Sequence, residues 1–337
     1  MSGASPRLSV VVPCFEHGRD VGDSLRCLLG QSVTDLEVVV VDDASRDDSA
    51  RVIADVARND ARVRTLRNAE NLGAAAAIAR GLAVARAPYL FVQAADHRVE
   101  PDLLARSVAL LDAHSAAGVC VSDFAFVDSR HARVYPKRML LARHAGYVSP
   151  GALCAKLASG DASLAGYGAV FRAQALRAAG GYRAELRWHS DWWLTLLVAL
   201  RHGACVLPEP LIRVRLDRGS YSAGARVWRE QRPVLAALLA LIEAPEQADV
   251  RARLIACGAL AYFGIDLLRV GLESRHSGAG PSPALGELPV RGAIAVSLRR
   301  AAIGALPRRL REVFWRARHT HQLLREPRAA SAAEVSA

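Results

Sequence analysis

The segment VVVVDDAS, residues 38–45, places two carboxylates directly after a run of valines. A pair of carboxylates at the end of a buried strand is costly unless a helix N-terminus, a cation or a hydrogen-bonding ligand compensates it. Asp42 and Asp43 are therefore candidates for ligand binding. The alternative is that Asp42, Asp43 and Ser45 only cap the following helix, and the segment alone leaves both interpretations open.

The elements around these carboxylates alternate between strands and helices. Apolar runs predict strands at 8–12, 36–41, 62–66, 89–93, 118–127 and 206–214. Helical apolar spacing predicts helices at 21–29, 47–58, 74–85, 101–114, 171–179 and 191–202. This alternation indicates an α/β fold with a mostly parallel, Rossmann-like sheet and flanking helices, and such sheets bind ligands at the carboxyl ends of their strands.

The length of 337 residues exceeds what one hydrophobic core usually serves, so we expect a main domain with an appended piece. Helical patterns take over after the last predicted strand, at 233–242 and 251–270, and a basic stretch follows at 291–324. The expected division is a main domain at 7–225, a helical C-terminal region at 226–325 and a disordered tail at 326–337. Between Tyr135 and Ser163 the pattern dissolves into a long irregular stretch of a kind that is often functional.

Composition excludes several classes of protein. With 52% hydrophobic and 23% charged residues, the chain is neither disordered, collagen-like nor a coiled coil. No apolar run reaches the ~20 residues of a membrane span, and no secretory signal pattern is visible, so we expect a cytoplasmic protein. The six cysteines lie singly, which argues against a zinc or redox site. The net charge of +11 favours phosphorylated small molecules, anionic membranes or nucleic acid as partners, but no nucleic-acid-binding module is recognisable.

The segment VVVVDDAS does not stand alone. It follows LSVVVPCFEH near the amino terminus and precedes NLGAAAAIARGLAVARAPYLF at 71–91 and AADHRVEP at 94–101. The order and spacing of these segments resemble the nucleotide-binding half of family 2 glycosyltransferases of the GT-A fold, over roughly residues 7–225. The resemblance implies inverting transfer of a sugar from a nucleotide-sugar donor, a UDP-sugar by preference, to a hydroxyl group of a saccharide or lipid-linked acceptor. Cell-surface glycan biosynthesis is the implied setting.

The resemblance assigns the donor to the ends of the first strands. It implies that Pro13, Cys14 and Phe15 contact the nucleotide and that Asp43 binds the nucleobase. The closing segment LIRVRLDRGSYSA resembles one in which an arginine and serines approach the diphosphate, and the matching residues are Arg215, Ser220 and Ser222. An arginine fork can grip phosphate oxygens in two places, although a solvated arginine on a basic surface is an equally ordinary interpretation.

The resemblance also implies a divalent cation, Mn²⁺ or Mg²⁺, between the protein and the donor diphosphate. The matching D-x-D-type element ends at Asp96, with Ala95 beside it against the donor. His97 stands where a second aspartate is common, and it would be the second metal ligand, because Mn²⁺ tolerates imidazole better than Mg²⁺ does. Contact between His97 and a phosphate, or an exposed loop histidine, are the alternatives.

The segment GGYRAELRWHSDWW, residues 180–193, resembles the family element that carries the catalytic base, and Asp191 matches that base. A base is needed because a sugar hydroxyl is a poor nucleophile near neutral pH. The alternative is that Ser190 or Asp191 only caps the helix. Trp188, His189 and Trp192 flank the aspartate and would line the acceptor or sugar pocket, since aromatic faces stack on sugar rings.

Departures from the family pattern leave a second hypothesis open. Ala94 and Ala95 replace acidic residues, and Ile78 and Ala79 lie where many members carry Arg-Asn, so the chain could be a catalytically impaired nucleotide-sugar-binding protein of the same fold. A dehydrogenase is disfavoured because no G-x-G-x-x-G follows the first strand. Arginines alternate with apolar residues at 298–315, which would suit a helix on an anionic membrane at the cytoplasmic face or a helix packed on its own domain.

Overall fold

The computed structural model describes residues 5–128, 133–215, 227–263, 266–267 and 269–270. Ser220 and Ser222 lie outside these residues, as do the basic stretch at 291–324 and the tail at 326–337. Most of the predicted C-terminal region is therefore not described, apart from its first helices.

The described chain forms one sheet of ten strands, which are β1 (Leu8–Cys14), β2 (Leu36–Asp42), β3 (Val63–Arg67), β4 (Tyr89–Val92), β5 (Arg98–Val99), β6 (Val119–Asp128), β7 (Arg133–Lys137), β8 (Gly146–Val148), β9 (Val170–Arg172) and β10 (Ala204–Arg215). Its α-helices are α1 (Val21–Leu29), α2 (Ser49–Asn59), α3 (Ala74–Val84), α4 (Leu103–Ala113), α5 (Pro150–Ala158), α6 (Ala173–Ala178), α7 (Ser190–His202), α8 (Trp228–Glu243) and α9 (Arg251–Ala256). The strand and helix alternation predicted up to residue 128 is confirmed.

Strand β2 is buried along its whole length, as a strand covered on both faces must be. Val39 and Val41 on one face of β2 pack with Ala77 of α3. Gly81 permits this close approach, because a β-carbon at that position would collide with the side chain of Val11 in β1. The small residues of α3 thus hold the helix tightly on the strands whose ends carry the candidate site.

The strand order is β3-β2-β1-β4-β9-β6-β10-β5, with β7 paired to β6 and β8 paired to β10. Strands β1 to β4 run parallel to one another, and so do β6 and β10. The short strand β9 lies antiparallel between β4 and β6 and joins the two parallel parts. The sheet is therefore parallel in its amino-terminal part and mixed as a whole, and the carboxyl ends of β1, β2 and β4 meet at one edge.

The stretch from Tyr135 to Ser163 is more regular than the sequence indicated. It contains the end of β7, the three-residue strand β8 and helix α5. Ser149 caps α5, since its Oγ accepts a hydrogen bond of 3.4 Å from the backbone N–H of Ala152, and Pro150 occupies the first turn. The sequence did not indicate these elements because they are short. Each contains too few residues to show a clear apolar periodicity.

The helix predicted at 251–270 is broken in the structure. Helix α9 ends at Ala256, and Gly258 adopts a φ of +68° before the 3-10 segment Ala259–Phe263 begins. Glycine takes this left-handed conformation without steric cost, which is why it ends helices. The prediction was wrong because apolar residues continue through the break. Of the described helices, none is long and apolar enough to cross a bilayer.

Candidate active site

The loops after β1 and β2 are hydrogen-bonded to each other. The backbone N–H of Asp43 donates to the carbonyl of Cys14 at 2.8 Å. The N–H of Glu16 donates to Ser45 Oγ at 3.0 Å, and the N–H of His17 donates to Ser49 Oγ at 2.9 Å. These bonds fix the two strand ends as one unit at the edge of the sheet.

Asp43 is 2% exposed and uses its carboxylate to organise the loop before α3. One oxygen accepts hydrogen bonds from Asn68 Nδ2 at 2.5 Å and from the N–H of Leu72 at 3.0 Å, and the other accepts from the N–H of Gly73 at 2.8 Å. The predicted contact with a nucleobase would add to these bonds. Asp43 therefore shapes the entrance of α3 whether or not it touches a base.

The capping alternative does not describe Asp42, Asp43 or Ser45. Asp42 Oδ1 accepts from the N–H of Ser45 at 3.1 Å, and Oδ2 lies 3.3 Å from Arg67 Nε. At the start of α2 it is Asp47 that binds the N–H of Ser49, at 3.0 Å. The carboxylates after β2 therefore serve the loops at the strand edge rather than the helix.

The three residues assigned to the nucleotide at the end of β1 differ in exposure. The thiol of Cys14 is buried, and burial raises its pKa to about 11, so it is neutral and inert near pH 7. Pro13 is half-buried, whereas the ring of Phe15 is 38% exposed. Among the three, Phe15 offers the largest accessible apolar surface.

Asp96 and His97 lie together in the turn after β4. His97 Nε2 is 3.8 Å from Asp96 Oδ1, and burial lowers the pKa of His97 even though the neighbouring carboxylate opposes that shift. A neutral imidazole is the form that binds metals. Ala95 beside them is buried in the core, so its side chain has no surface to present to a donor.

The residues present fit a divalent cation as a two-ligand site. Within the described part of the chain, no three His, Cys, Asp or Glu side chains gather in a way that could hold a metal. The carboxylate of Asp96 and the imidazole of His97 can supply an oxygen and a nitrogen, and a hard cation often takes its remaining ligands from water and substrate phosphates. Of the metals considered, this donor pair suits Mn²⁺ best.

Asp191 lies in the first turn of α7 and accepts a hydrogen bond of 2.7 Å from the N–H of Trp192. Burial raises the pKa of Asp191 to about 6, and the backbone hydrogen bonds oppose that rise without cancelling it. A carboxylate with this pKa is ionised near neutral pH and is a stronger base than an exposed aspartate. Asp191 is not the N-cap residue of α7, which is His189, although its carboxylate binds one N–H of the first turn.

Tyr167 connects the turn of Asp96 and His97 to the surroundings of Asp191, and the sequence did not reveal it. Its ring lies edge-on to His97 with centroids 5.9 Å apart, and it packs against Phe124 at 5.0 Å. Its neighbour Gly166 lies against Asp191, since a β-carbon on Gly166 would sit 2.8 Å from the Cγ of Asp191. Gly166 and Tyr167 thus link Asp191 to His97 and to the neighbouring Asp96 through direct contacts. The signal in the sequence was the short motif Gly-Tyr-Gly at 166–168.

The aromatic residues beside the base are anchored to the C-terminal helices. Trp188 Nε1 donates to Gln231 Oε1 at 2.8 Å, and Gln231 Nε2 lies 3.0 Å from His189 Nε2. Phe263 packs edge-on against His189 at 4.9 Å and against Trp192 at 5.2 Å. The sequence predictions contained neither Gln231 nor Phe263, because contacts of this kind join parts of the chain that no local pattern relates.

Arg215 lies at the end of β10, where its Nη1 is 2.5 Å from Asp20 Oδ1 at the start of α1. This ion pair holds the guanidinium next to the loop that follows β1. The contact is compatible with the predicted approach to a diphosphate and does not test it. Ser220 and Ser222, which the resemblance assigns to the diphosphate together with Arg215, are not among the described residues.

A sequence profile of Glycosyl transferase family 2 matches residues 9–178. The uncharacterised glycosyltransferase YibD of Escherichia coli is 34% identical over 103 residues, which are 31% of this chain and 30% of YibD. The succinoglycan biosynthesis protein ExoO of Rhizobium meliloti is 30% identical over 137 residues, 40% of this chain and 38% of ExoO. The matched part of this chain spans about a third of the length of curated relatives such as YibD.

Two groups of solved structures share the fold. Residues 1–349 of Staphylococcus aureus TarS, in complex with UDP-GlcNAc, superimpose with a TM-score of 0.60 at 17% identity, over 86% of this chain and 83% of that TarS fragment. The mannosyltransferase PcManGT of Pyrobaculum calidifontis, in complex with GDP-Man and Mn²⁺, gives 0.53 at 19% identity, over 95% of this chain and 85% of PcManGT. The predicted α/β fold of the GT-A type is confirmed.

Proposed function

The chain belongs to glycosyl transferase family 2, and on that premise we propose that it transfers a sugar, with inversion at the anomeric carbon, from a nucleotide-sugar donor to a hydroxyl group of an acceptor. The proposed donor is a UDP-sugar, because TarS was solved with UDP-GlcNAc. The proposed acceptor is a saccharide, free or lipid-linked. The name of ExoO supports a role in the biosynthesis of a cell-surface glycan.

One observation carries the proposal: Asp191 is a partly buried carboxylate whose pKa is raised to about 6, and Gly166 and Tyr167 link it to Asp96 and His97, which we propose to line the same cleft. A group with this pKa can accept a proton from an alcohol as the alcohol attacks. Gly166 and Tyr167 connect the two ends of the cleft, so an acceptor at Asp191 and a diphosphate at Asp96 would lie next to each other.

The proposed reaction has a single displacement. Asp191 takes the proton of the acceptor hydroxyl while the hydroxyl oxygen forms a bond to the anomeric carbon. The bond between that carbon and the phosphate oxygen breaks on the opposite side, and its electron pair leaves with the nucleoside diphosphate. Attack from the side opposite to the leaving group inverts the configuration. Aligning the two reactants in this way contributes to the rate by removing orientational freedom in advance.

The protein residues proposed to hold a divalent cation are Asp96 and His97. When bound, such a cation would stabilise the negative charge of the leaving diphosphate as a Lewis acid. Arg215, at the end of β10, is the proposed additional cationic group near the phosphates, and Asp20 orients it. Phe15 and Pro13 are the proposed contacts of the nucleoside, and Asp43 holds the neighbouring loop.

A binding protein without catalytic activity is the second candidate function. The observation that favours it is the small donor set, with one carboxylate and one imidazole in the turn that would meet the cation. Such a protein would bind a nucleotide-sugar without turning it over. Measurement of turnover separates the two candidates.

The donor is identified first and the base is tested second. A thermal-shift panel of UDP-, GDP-, TDP- and CMP-sugars, with and without Mn²⁺, identifies the donor, because selective binding stabilises the folded state.

With that donor, we expect Asp191→Asn to lower the rate of donor turnover at least about a hundredfold and to leave the donor-induced thermal shift unchanged. We also expect the wild-type kcat to rise through about pH 6, because the base must be ionised.

The matched control is Asp35→Asn, which changes an exposed aspartate outside the cleft and should leave turnover unchanged. Equal rates in wild type and Asp191→Asn would remove the base assignment. Donor binding without turnover in the wild type would instead favour the binding protein.

A further inference from the structure

The surroundings of Asp191 are built partly by a segment far beyond residue 178, where the match to the family profile ends. Helix α9 ends at Ala256, and Gly258, with a φ of +68°, redirects the chain close to Ala158 of α5. The 3-10 segment Ala259–Phe263 follows directly. This segment is distant in sequence from the predicted donor and base motifs, so its position in the cleft comes from packing alone.

Two buried side chains anchor this segment. Leu260 and Phe263 are 1% and 3% exposed and belong to the same hydrophobic core as α7. The ring of Phe263 contacts His189 and Trp192, the residues on either side of Ser190 and Asp191. The anchor is therefore attached to the backbone that carries the base, and the segment has a fixed position relative to it.

Tyr262 extends from this anchored segment toward solvent. Its side chain is 58% exposed, and its ring stands at 83° to that of Phe263 with centroids 5.3 Å apart. Single exposed aromatic residues are common on protein surfaces, so exposure alone implies nothing. The distinguishing feature of Tyr262 is that a buried, rigid neighbour holds it beside the candidate base.

Ring contacts relate Tyr262 to the candidate base. The ring of Tyr262 packs on Phe263, Phe263 contacts Trp192, and the backbone N–H of Trp192 donates to the Asp191 carboxylate. Gly166 also lies against Asp191, and its neighbour Tyr167 contacts His97. Tyr262 is therefore two ring contacts away from the residue that donates to Asp191.

From this geometry we propose that Tyr262 forms one wall of the acceptor subsite, where its ring stacks on a pyranose ring of a saccharide acceptor and orients the attacking hydroxyl toward Asp191. The apolar C–H face of a pyranose matches an aromatic face, and the phenol oxygen can hydrogen-bond to a sugar hydroxyl. The acceptor class that follows is a saccharide with an accessible ring, and the inference rests on the proposed transferase function.

The test compares transfer with hydrolysis. Methyl glycosides of glucose, galactose, mannose and N-acetylglucosamine serve as acceptor probes, and the donor is the nucleotide-sugar selected by the thermal-shift panel. We expect Tyr262→Ala to raise the KM for the preferred glycoside about tenfold, because the substitution removes one stacking contact. Hydrolysis of the donor by water and the KM for the donor should stay within about twofold, because the proposed contact of Tyr262 is with the acceptor.

Two control variants separate stacking from folding. Tyr262→Phe keeps the ring and should retain most of the affinity for the glycoside. Val134→Ala removes a comparably exposed apolar side chain from β7 and should change neither KM. A glycoside KM for Tyr262→Ala that equals the wild-type value would overturn the subsite, and so would an equal fall of transfer and donor hydrolysis.

The failure of this proposal can be told from failure of the proposed function. If the wild type hydrolyses the donor but transfers sugar to none of the glycosides, the saccharide subsite is overturned and the transferase chemistry stands. If the wild type neither binds nor hydrolyses any donor, the proposed function fails and the subsite fails with it.

Discussion

The carboxylate of Asp191 experiences two opposed influences. Its place in the first turn of α7, with a hydrogen bond from the N–H of Trp192, favours the ionised form, whereas burial disfavours it and dominates. The result is a pKa of about 6. An aspartate that merely capped a helix in solvent would titrate about two units lower, so the difference reflects the surrounding cleft.

Gly166 provides the first prediction at the scale of a single residue. A β-carbon there would lie 2.6 Å from the carbonyl carbon of Asp191 and 2.8 Å from its Cγ, so Gly166→Ala must displace Asp191, the proposed base. Because a displacement of about 1 Å is enough to disturb a reacting geometry, we expect kcat to fall more than about tenfold. Steady-state kinetics with the selected donor measure this change.

Gly151→Ala is the matched control, because nothing lies within 4 Å of a β-carbon at that position in α5. Alanine favours a helix over glycine by up to about 1 kcal/mol, so this variant should be slightly more stable and fully active. If Gly166→Ala retained wild-type kcat, the close contact between Gly166 and Asp191 would have no part in positioning the base.

At the scale of elements, the notable contact is the one between α8 and the turn that precedes α7. Arg187 in this turn adopts a φ of 45°, in the left-handed region that a side chain disfavours. Such strain persists only where the surrounding structure imposes it. Gln231 of α8 bonds to both Trp188 and His189 immediately after the kink, so α8 helps to impose this conformation.

We therefore expect Gln231→Leu to weaken both folding and activity. Leucine leaves the indole N–H of Trp188 and a ring nitrogen of His189 without these hydrogen bonds, and a buried polar group that loses its bond costs about 1–3 kcal/mol. Chemical denaturation should show a loss of this size. Transfer measured well below the unfolding temperature should show a lower kcat with little change in the donor KM.

Gln174→Leu makes the same chemical change at an exposed position of α6 and should alter neither quantity. If Gln231→Leu had the same stability and kcat as the wild type, α8 would not hold the conformation of the turn before Asp191.

The elements that were predictable from the sequence are those whose apolar pattern is long. Helix α1 and strand β2 follow from their own residues, and the positions of Asp43 and Asp96 follow from the strand ends. The roles of Tyr167, Gln231 and Phe263 did not follow, because each depends on a contact with a distant part of the chain. The break at Gly258 was missed because the apolar residues continue on both sides of this glycine, so the helical pattern shows no interruption.

At the scale of the whole molecule, the described C-terminal helices are part of the same core as the sheet. Leu235 and Leu238 of α8 and Leu254 of α9 are fully buried and pack in the cluster that includes α7. Helix α8 thus supports the turn before Asp191 although it follows the boundary expected at residue 225. That division into domains remains a prediction.

The basic sequence at 298–315 leads to a prediction about location. We propose that the protein is cytoplasmic and binds the cytoplasmic face of anionic membranes. Each arginine of this stretch would contribute about 1 kcal/mol of binding free energy near an anionic surface. Full-length protein should float with phosphatidylglycerol vesicles at low salt, remain unbound to phosphatidylcholine vesicles, and dissociate as salt screens the charges.

The control replaces five arginines of this stretch by glutamine, namely Arg299, Arg300, Arg308, Arg309 and Arg311. This variant should stay in the soluble fraction with either lipid. If the wild type also stays there at low salt, the proposed membrane contact is wrong.

The insertion of β9 between β4 and β6 has a consequence for biosynthesis on the ribosome. Residues 170–172 are the antiparallel partners of β4 and also of β6, so neither strand can acquire this neighbour until about half of the polypeptide has emerged. Strands β1 to β4 can pair earlier and leave β4 as a temporary open edge. Until the three residues of β9 pair with β4, the unpaired edge of β4 in the nascent chain is open to pairing with strands of other polypeptides.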